Sequence, residues 1–480
     1  YTTFLEDPER VRDYAREDVH EAGGLARLLG GAAFALARMA PRRYERIADA
    51  GPATGVIDPL LVRAYLREGK ALPAHEAGDG TPHTGAALHL FATGVAERIV
   101  KADVASLYPS LMRVHRIGPQ RDHLGVMLAV VERLVEGRLA AKARARAAPP
   151  GSEARHTDEA LSAAMKLIVN SAYGYLGAAS LTRFADVHAA NEVTRRGRET
   201  LALLCRALAQ RGVTLLEADT DGVYFSVPPS FTEADERRVV SEVDALLPPL
   251  VSLEYDGRYK AMLSHESKNY ALLGHDGVVR LKGVAFRSSR AEPFGEAFLK
   301  RALAALLVSD VAGVRAVYID VAEALRRREL PTRDVTARVR VTKTKAQYLA
   351  VRDTRREHTY EALLASGREF RVGEKVRVYR AVGARAAVLP DDDDETEAAR
   401  DYDPAYYERL LRETFATRLA RALRPEDFAA VFADRVQLTL FPRELTSARP
   451  VLEKRLDAEA VYQAQRIRES GRAPGARVVT

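Results

Sequence analysis

Apolar residues recur along the chain with two different spacings, which predict both helices and strands. Three- and four-residue spacing through residues 1–72 predicts helices, with one helix ending near Gly30 and Gly31. A polar stretch at 74–85 indicates a loop. The run RIVKADVASLYPS that follows predicts a strand ending in a proline-stopped turn.

Two long helical patterns, over 123–148 and about 157–175, flank the segment APPGSEARHTD. Its prolines and glycine interrupt the pattern, so the two helices are expected to form a hairpin. A further helix is predicted over 186–211, and mixed β-structure over 251–286. From about residue 291 the pattern is mainly helical, with KVRVYRAV as a β-like exception. The chain is therefore expected to have an α+β fold.

The segment LLEADTDGVYFSV, residues 215–227, predicts a β-hairpin with two aspartates at its neck. Asp-Gly is a strong hairpin signal, because Gly222 is expected to accept the positive φ of a tight turn. An ordinary turn is one interpretation of the segment. The other is a cation site, because Asp219 and Asp221 are two residues apart and would project from one face of a strand.

Composition narrows the class of protein. The chain has 480 residues, enough for roughly three domains, and its 47% hydrophobic and 29% charged residues are typical of a globular protein. No apolar run reaches the roughly 20 residues of a membrane span. The single cysteine, Cys205, excludes an intrachain disulfide and suits a reducing cytosol. The net charge of +7 permits a polyanionic partner.

Further carboxylate, cationic and amide residues occur at spacings that suit a charged ligand. Asp103 ends the predicted strand in DVASLYPS, where an isolated aspartate is usually only a cap. Two predicted helices carry polar groups that share one face through i, i+4 or i+7 spacing: Arg138 and Lys142 on the first, and Lys166, Asn170 and Tyr173 on the second.

This combination meets the requirements of nucleotidyl transfer. The reaction uses two divalent ions about 4 Å apart, one at the attacking hydroxyl and one at the triphosphate. Mg²⁺ takes oxygen ligands and uses few carboxylates, and cationic side chains neutralise the phosphates. The candidate metal ligands are Asp103, Asp219 and Asp221, and the candidate triphosphate ligands are Arg138, Lys142 and Lys166.

The segments DVASLYPS, KLIVNSAYG and ADTDG, in this order and spacing, resemble the three polymerase motifs of the family B DNA polymerases. RLAAK, which begins at Arg138, resembles the phosphate-binding element of the family's fingers. SKNYALL resembles its Lys-Lys-Arg-Tyr primer-template element, with Lys268 and Tyr270 kept. The chain is most similar to a bacterial DNA polymerase II-like core, and the resemblance covers most of its length.

The resemblance implies a right-hand fold with a mixed-sheet palm, helical-hairpin fingers and a mainly helical thumb. The implied domains are a remnant of the 3′–5′ exonuclease domain (1–30), a connector with the first part of the palm (31–110), the fingers (111–169), the palm (170–290), and the thumb with a C-terminal tail (291–480).

The resemblance also implies roles for individual residues. Asp103 and Asp221 would be the principal ligands of two Mg²⁺ ions, or of Mn²⁺, with Asp219 nearby and the Val104 carbonyl assisting. Tyr108 would lie under the sugar as a steric gate against a 2′-hydroxyl; a packed aromatic is the alternative interpretation. The other implied roles are dNTP binding by Ser106, Leu107, Arg138, Lys142, Lys166 and Asn170, contact with the nascent base pair by Asn170, Tyr173 and Gly174, and contact with the primer-template by Lys268 and Tyr270.

The third motif departs from the family pattern Tyr-Gly-Asp-Thr-Asp-Ser. Glu217, Ala218 and Gly222 replace three of its positions, while both aspartates are kept. Metal binding is therefore expected to persist, whereas the placement of the primer terminus loses the support of the tyrosine and the serine. The family's Tyr-x-Gly-Gly element is at best degraded in HTGAAL, residues 83–88.

Two terminal segments resemble accessory elements of the family. YAREDV resembles the third exonuclease motif at Tyr14 and Asp18, but no upstream Asp-x-Glu precedes Tyr1. We therefore expect no proofreading by this chain and interpret Asp18 as a relic or as part of a longer parent. QLTLF resembles the peptide by which bacterial polymerases bind a sliding clamp; a buried strand is the alternative. The candidate clamp contacts are Gln437, Leu438, Leu440 and Phe441.

The sequence thus predicts a cytoplasmic DNA-directed DNA polymerase, nucleoid-associated in a bacterium, that acts on primer-template DNA and dNTPs with Mg²⁺, with a sliding clamp as a candidate partner and no membrane association. One alternative is a truncated or decayed polymerase that binds DNA with little catalysis. Another is a different nucleotidyl transferase, such as a reverse transcriptase or a primase.

Overall fold

A computed structural model describes residues 2–288, 290–389, 400–433 and 444–470. In these ranges no helix combines the length and the apolar character that a membrane span requires. The predicted clamp contacts at 437–441 lie outside the described residues, so their role stays a prediction.

Helices and strands occur in separate runs along the described chain, which confirms the α+β class. The helices are α1 (Thr2–Glu6), α2 (Pro8–Met39), α3 (Tyr44–Pro52), α4 (Asp58–Arg67), α5 (Leu107–Val114), α6 (Val126–Ala147), α7 (Glu153–Leu176), α8 (Val187–Ala209), α9 (Glu233–Asp244), α10 (Pro293–Leu306), α11 (Val311–Arg326), α12 (Lys345–Leu349), α13 (His358–Ala365), α14 (Pro404–Leu410), α15 (Pro425–Val431) and α16 (Ala458–Ser470). The strands are β1 (Leu88–Leu90), β2 (Ala92–Val104), β3 (Thr214–Asp219), β4 (Gly222–Ser226), β5 (Leu253–Glu266), β6 (Asn269–Leu273), β7 (Val279–Lys282), β8 (Ala337–Arg340), β9 (Lys375–Ala381), β10 (Arg385–Leu389) and β11 (Leu452–Lys454).

The larger sheet has the strand order β1-β3-β4-β2-β5-β6-β7, and β11 pairs with β2 as a branch. Every described pair in it is antiparallel, so the strand directions are not mixed as predicted for the palm. One face of the sheet is buried under α8 and α9 through a core that includes Leu204, Val223, Phe225 and Val240. The sheet is therefore a rigid support for the groups at the ends of its central strands.

Helices α6 and α7 form the predicted hairpin, and their bounds lie within a few residues of the predicted ones. At the tip of the hairpin, Nε and Nη2 of Arg144 in α6 both donate to the carboxylate of Asp158 in α7. Helix α2 packs on α7 and runs through Gly30 and Gly31, so the predicted end there is wrong. A Cβ at Gly31 would lie 3.0 Å from the Ala160 side chain, so the glycine permits a close helix approach that compensates for its helix penalty of about 1 kcal/mol.

The C-terminal half combines helices with a second sheet and then returns to the first. Helices α10, α11, α14 and α15 share one core with neighbouring short helical turns. Strands β8, β9 and β10 form an antiparallel sheet, in which β9 confirms the β-like KVRVYRAV. Strand β11 then pairs with β2 at Gly94, whose φ of 107° and missing side chain leave room for the Val451 carbonyl. Helix α16 finally packs on α8, and its first residue, Ala458, joins the core beneath the larger sheet.

Candidate active site

Asp103 and the aspartates of the hairpin lie at the same end of neighbouring strands. Asp103 is the register partner of Gly222, the first residue of β4. Asp219 is the last residue of β3 and faces Gly222 across the hairpin. The Val104 amide donates to the carbonyl oxygen of Asp221 at 2.7 Å. The pairing of β2 with β4 therefore unites the first and third sequence motifs.

The turn between β3 and β4 uses Thr220 as its left-handed residue. Thr220 has a φ of 58°, whereas Gly222 is not among the residues with positive φ, so the predicted turn role of Gly222 is wrong. The Thr220 amide donates to the Ala87 carbonyl, and its hydroxyl donates to Asp219 at 3.0 Å, which stabilises the strained conformation. Gly222 instead provides space, because a Cβ there would lie 2.6 Å from Oδ1 of Asp103.

The surroundings of Asp103 and Asp221 disfavour the ionised form of both carboxyls. Burial raises the pKa of Asp103, and the Lys101 ammonium at 3.8 Å opposes that shift. Burial, and then the negative charge of Asp103, raise the pKa of Asp221 to about 6. A divalent cation between the two carboxylates would relieve this repulsion.

Asp219, the third predicted carboxylate ligand, is paired with a lysine. Asp219 forms an ion pair with Lys268, with 3.1 Å between Nζ and Oδ1. In the described ranges no three His, Cys, Asp or Glu side chains are close enough to hold one metal ion. Lys268 thus neutralises one member of the predicted site, whereas Lys101, 3.8 Å from Asp103, pairs more closely with Asp256. Asp103 and Asp221 together fit a Mg²⁺ ion, since Mg²⁺ uses only one or two carboxylates and keeps the other positions for water and phosphate.

The hairpin of α6 and α7 contacts the first motif through Arg138. Its Nη1 donates to Oγ of Ser106 at 3.3 Å, and its Nε is buried without a hydrogen-bond partner in the described part of the chain. Ser106 precedes α5 with a φ of 51° and makes no side-chain cap. The first amides of α5, beginning at Leu107, therefore lack a capping side chain beside a guanidinium, an arrangement that suits an anion.

The other predicted dNTP residues lie on the same two helices. Lys142 is half-buried and follows Arg138 by one turn on α6. Lys166 and Asn170 are exposed on α7, as is Gly174. The charge of Lys166 acts on Asp103 and lowers the pKa of that carboxyl against the dominant effect of burial. The structure therefore brings one of the predicted cations, Lys166, close enough to act on Asp103.

Tyr108 is held between two elements. Its ring centroid lies 4.5 Å from that of Tyr173, and a Cβ at Gly197 of α8 would lie 2.8 Å from the Tyr108 ring. Burial, and then Tyr173, raise the pKa of Tyr108 to about 12, so its hydroxyl is neutral. The Tyr173 hydroxyl is hydrogen-bonded to Nε2 of His83 at 2.7 Å. This contact fixes the aromatic pair from the side of the 74–85 loop.

Sequence reasoning missed His83 as a site residue, although it lies in the degraded HTGAAL element. The loop that carries it is attached to α8: the Thr84 amide donates to Asn191 at 2.7 Å, and Asn191 donates to the Pro82 carbonyl at 3.1 Å. Arg198 donates to the Gly85 carbonyl at 2.7 Å. These contacts join residues about 110 positions apart, so no local pattern could have revealed them.

The predicted primer-template residues lie at the turn between β5 and β6. Lys268 has a φ of 62°, and the hydroxyls of Tyr270 and Tyr224 are 3.2 Å apart. The predicted exonuclease relic lies apart from these groups: Tyr14 and Asp18 are exposed on α2. The interpretation of those two residues stays a prediction.

Comparison with known proteins agrees with the motifs. A model of "DNA polymerase family B" matches residues 119–410, which is more than half of the chain. The chain belongs to DNA polymerase family B. Its fold is similar to that of the family B DNA polymerase from the archaeon Pyrobaculum calidifontis, with a TM-score of 0.64 and 21% identity over 89% of this chain and 57% of that one.

Two curated archaeal relatives are similar in sequence. A DNA polymerase of Pyrococcus glycovorans is 28% identical over 65% of this chain and 44% of its own length. DNA polymerase 1 of Pyrococcus abyssi is 30% identical over 40% of this chain and 28% of its own length. The chain therefore spans less than half the length of these relatives. They confirm family B but favour an archaeal-type polymerase over the predicted likeness to bacterial DNA polymerase II.

Proposed function

We propose that the chain is a DNA-directed DNA polymerase that transfers a nucleotidyl group from a dNTP to a primer 3′-hydroxyl. The observation that carries the proposal is the register of β2 with β4, which sets Asp103 against the hairpin of Asp219 and Asp221. The contact of Arg138 with Ser106 adds a guanidinium at the N-terminus of α5, three residues after Asp103 in the chain. A site with carboxylates on one side and a cation on the other suits a triphosphate bound through divalent ions.

In the proposed mechanism Asp103 and Asp221 would hold the divalent ions that family B polymerases generally use, with the Val104 carbonyl assisting. When bound, two Mg²⁺ ions would activate the primer hydroxyl and neutralise charge on the triphosphate. Asp219 would complete the carboxylate set after its ion pair with Lys268 opens. The chain's own residues therefore orient the reactants, which is the main protein contribution to phosphoryl transfer.

The remaining residues would position the dNTP and the DNA. Arg138, Lys142 and Lys166 would bind the phosphates together with the first amides of α5. Tyr108, supported by Tyr173, would exclude a 2′-hydroxyl sterically. The other proposed contacts are Asn170 and Gly174 at the nascent base pair and Lys268 and Tyr270 at the primer-template. Such an enzyme would act in the cytoplasm, at the nucleoid in a bacterium.

The second candidate is a family member that binds DNA without extending it. The engagement of Asp219 by Lys268 and the altered third motif favour this alternative. Primer extension with Mg²⁺ and four dNTPs separates the two, with an Asp221→Asn preparation as the control for contaminating polymerase. Wild-type extension that the variant lacks would support the enzyme, whereas primer-template binding without extension would support the alternative. An RNA template or rNTPs in the same assay would detect a reverse transcriptase or a primase.

A further inference from the structure

Glu217 is a buried acidic residue beside the candidate active site, at the position where the family's third motif usually has tyrosine. Only 1% of its surface is exposed. It lies in β3 between Leu90 of β1 and Tyr224 of β4, next to an irregularity in the β3–β4 register. Its side chain is therefore shielded from water, where an acidic group needs a specific partner.

That partner is the backbone of Lys268. The Lys268 amide donates to Oε1 of Glu217 at 2.6 Å. The Lys268 ammonium pairs with Asp219, two residues further along β3. Strand β3 thus contacts Lys268 at two points. The Glu217 carboxylate accepts from the backbone amide of Lys268, and the Asp219 carboxylate pairs with its ammonium.

Gly283 and Ala285 also contact the turn that carries Lys268. A Cβ at Gly283 would collide with the Lys268 carbonyl, and the Ala285 amide donates to Oδ1 of Asn269 at 2.9 Å. Lys268 has a left-handed φ of 62°, which a residue with a side chain rarely adopts. The Glu217 hydrogen bond stabilises this conformation at the point where the lysine side chain leaves the turn.

A general contribution to stability does not explain Glu217. Its second oxygen, Oε2, is buried without a hydrogen-bond partner in the described part of the chain. Glu236, the comparable buried glutamate of α9, accepts from Tyr255 at 2.9 Å and from Arg258 at 3.3 Å. A half-satisfied carboxylate is a poor stabilising element, so its single hydrogen bond to Lys268 is the feature that a function can use.

We propose that Glu217 is a positioning residue that holds the Lys268 turn, so that the lysine ammonium is presented beside Asp219 and to the primer strand. The proposal rests on the proposed polymerase function for its kinetic consequence, but not for the contact itself. In this chain Glu217 would thereby link the hairpin that carries the aspartates to the residue that reads the primer-template.

The contact is tested in the free protein by hydrogen exchange at the Lys268 amide. Glu217→Met keeps the length of the side chain and removes the acceptor, and Glu217→Asp withdraws the acceptor by one methylene. Both should accelerate exchange at this amide at least about tenfold, whereas Glu217→Gln, which keeps Oε1, should stay within about threefold of wild type. Glu236→Met is the matched control: it removes a buried glutamate outside the site and should leave this amide unchanged.

The consequence is tested by single-turnover nucleotide incorporation on a primer-template. Glu217→Met should lower the incorporation rate about tenfold with little change in the apparent dNTP affinity, and Glu217→Gln should restore most of the rate. Glu217→Met should cause little further loss in a Lys268→Ala background, because both changes remove the same positioned group. Additive losses would indicate a merely structural role and would overturn the proposal.

The hydrogen-exchange and incorporation experiments together distinguish failure of the contact, of the positioning role and of the proposed function. An unchanged Lys268 amide in both Glu217→Met and Glu217→Asp would refute the contact, whatever the activity. Accelerated exchange with unaltered incorporation by an active enzyme would refute the positioning role. An inactive wild-type protein would contradict the proposed function, while hydrogen exchange would still decide whether Glu217 holds Lys268.

Discussion

Replacing Asp221 with asparagine should stabilise the metal-free protein while it abolishes nucleotide incorporation. Burial, and then Asp103, raise the pKa of Asp221 from 3.8 to about 6. A raised pKa means that the folded state binds the proton more tightly, so stability is highest below the unfolded pKa and falls as the pH rises through the folded one. Near neutral pH and above, the ionised Asp221 therefore opposes folding.

The magnitude follows from the size of the shift. A shift of about two units corresponds to about 3 kcal/mol, since one unit is worth about 1.4 kcal/mol. Partial exposure screens the charge, so about 1–2 kcal/mol is the expected gain for Asp221→Asn at about pH 8. For a chain of 480 residues that unfolds as one unit, that gain corresponds to a rise in Tm of about 1–2 °C. At about pH 4 the gain should nearly vanish, because Asp221 is then protonated in the folded protein.

The assay is thermal unfolding in EDTA at both pH values, followed by a titration with Mg²⁺ or Mn²⁺. Metal should raise the Tm of wild type and should raise that of Asp221→Asn much less, so that the difference between them shrinks or reverses. Incorporation should fall by orders of magnitude in the variant with primer-template affinity nearly intact. The control is Asp276→Asn, because Asp276 is exposed and its hydrogen bond to Arg280 lowers its pKa to about 2.

The control should gain no stability and should not alter the response to metal. An Asp221→Asn protein that is no more stable than wild type in EDTA would refute the electrostatic reasoning. A metal response equal to that of wild type would refute the assignment of Asp221 as a metal ligand.

Three other perturbations follow from the fold and the motifs. Gly94→Ala should destabilise the attachment of β11 by about 3 kcal/mol, because its Cβ would collide with the Val451 carbonyl; limited proteolysis should then cleave the C-terminal segment sooner. Tyr108→Ala should raise the efficiency of rNTP incorporation relative to dNTP by about 10–200-fold, and an unchanged ratio would favour the packed-aromatic interpretation. The double variant Leu440→Ala and Phe441→Ala should abolish any stimulation of processivity by a sliding clamp, and unchanged stimulation would contradict the clamp prediction.

The sequence predicted what depends on local patterns or on the motifs. Helices α6 and α7 have strong periodicity and clear breakers between them, and their bounds were close to those predicted. The association of Asp103 with the hairpin was inferred from the requirements of nucleotidyl transfer and from the resemblance, because strand pairing across more than a hundred residues has no local signal. Once β2 pairs with β4, the register places Asp103 against Gly222.

The errors arose where tertiary contacts override local preference. Gly30 and Gly31 indicated the end of a helix, but close packing against Ala160 lets α2 continue. Gly222 indicated a left-handed turn residue, but Thr220 takes that role because neighbouring groups satisfy its amide and hydroxyl. The glycine is instead needed for the space that the Asp103 carboxylate occupies.

Of the three predicted metal ligands, Asp219 is the one that a lysine engages most closely. Lys268 lies 3.1 Å from Asp219, whereas Lys101 lies 3.8 Å from Asp103 and pairs more closely with Asp256. A divalent ion that uses Asp219 must compete with the Lys268 ammonium. A primer strand that draws this ammonium to its own phosphates would leave Asp219 free for the metal, because one ammonium cannot neutralise both groups fully. By linkage, a primer that strengthens metal binding must itself bind more tightly when the metal is present. Glu217 holds the lysine at the turn where this exchange would occur, so the altered third motif is consistent with a site assembled by its DNA.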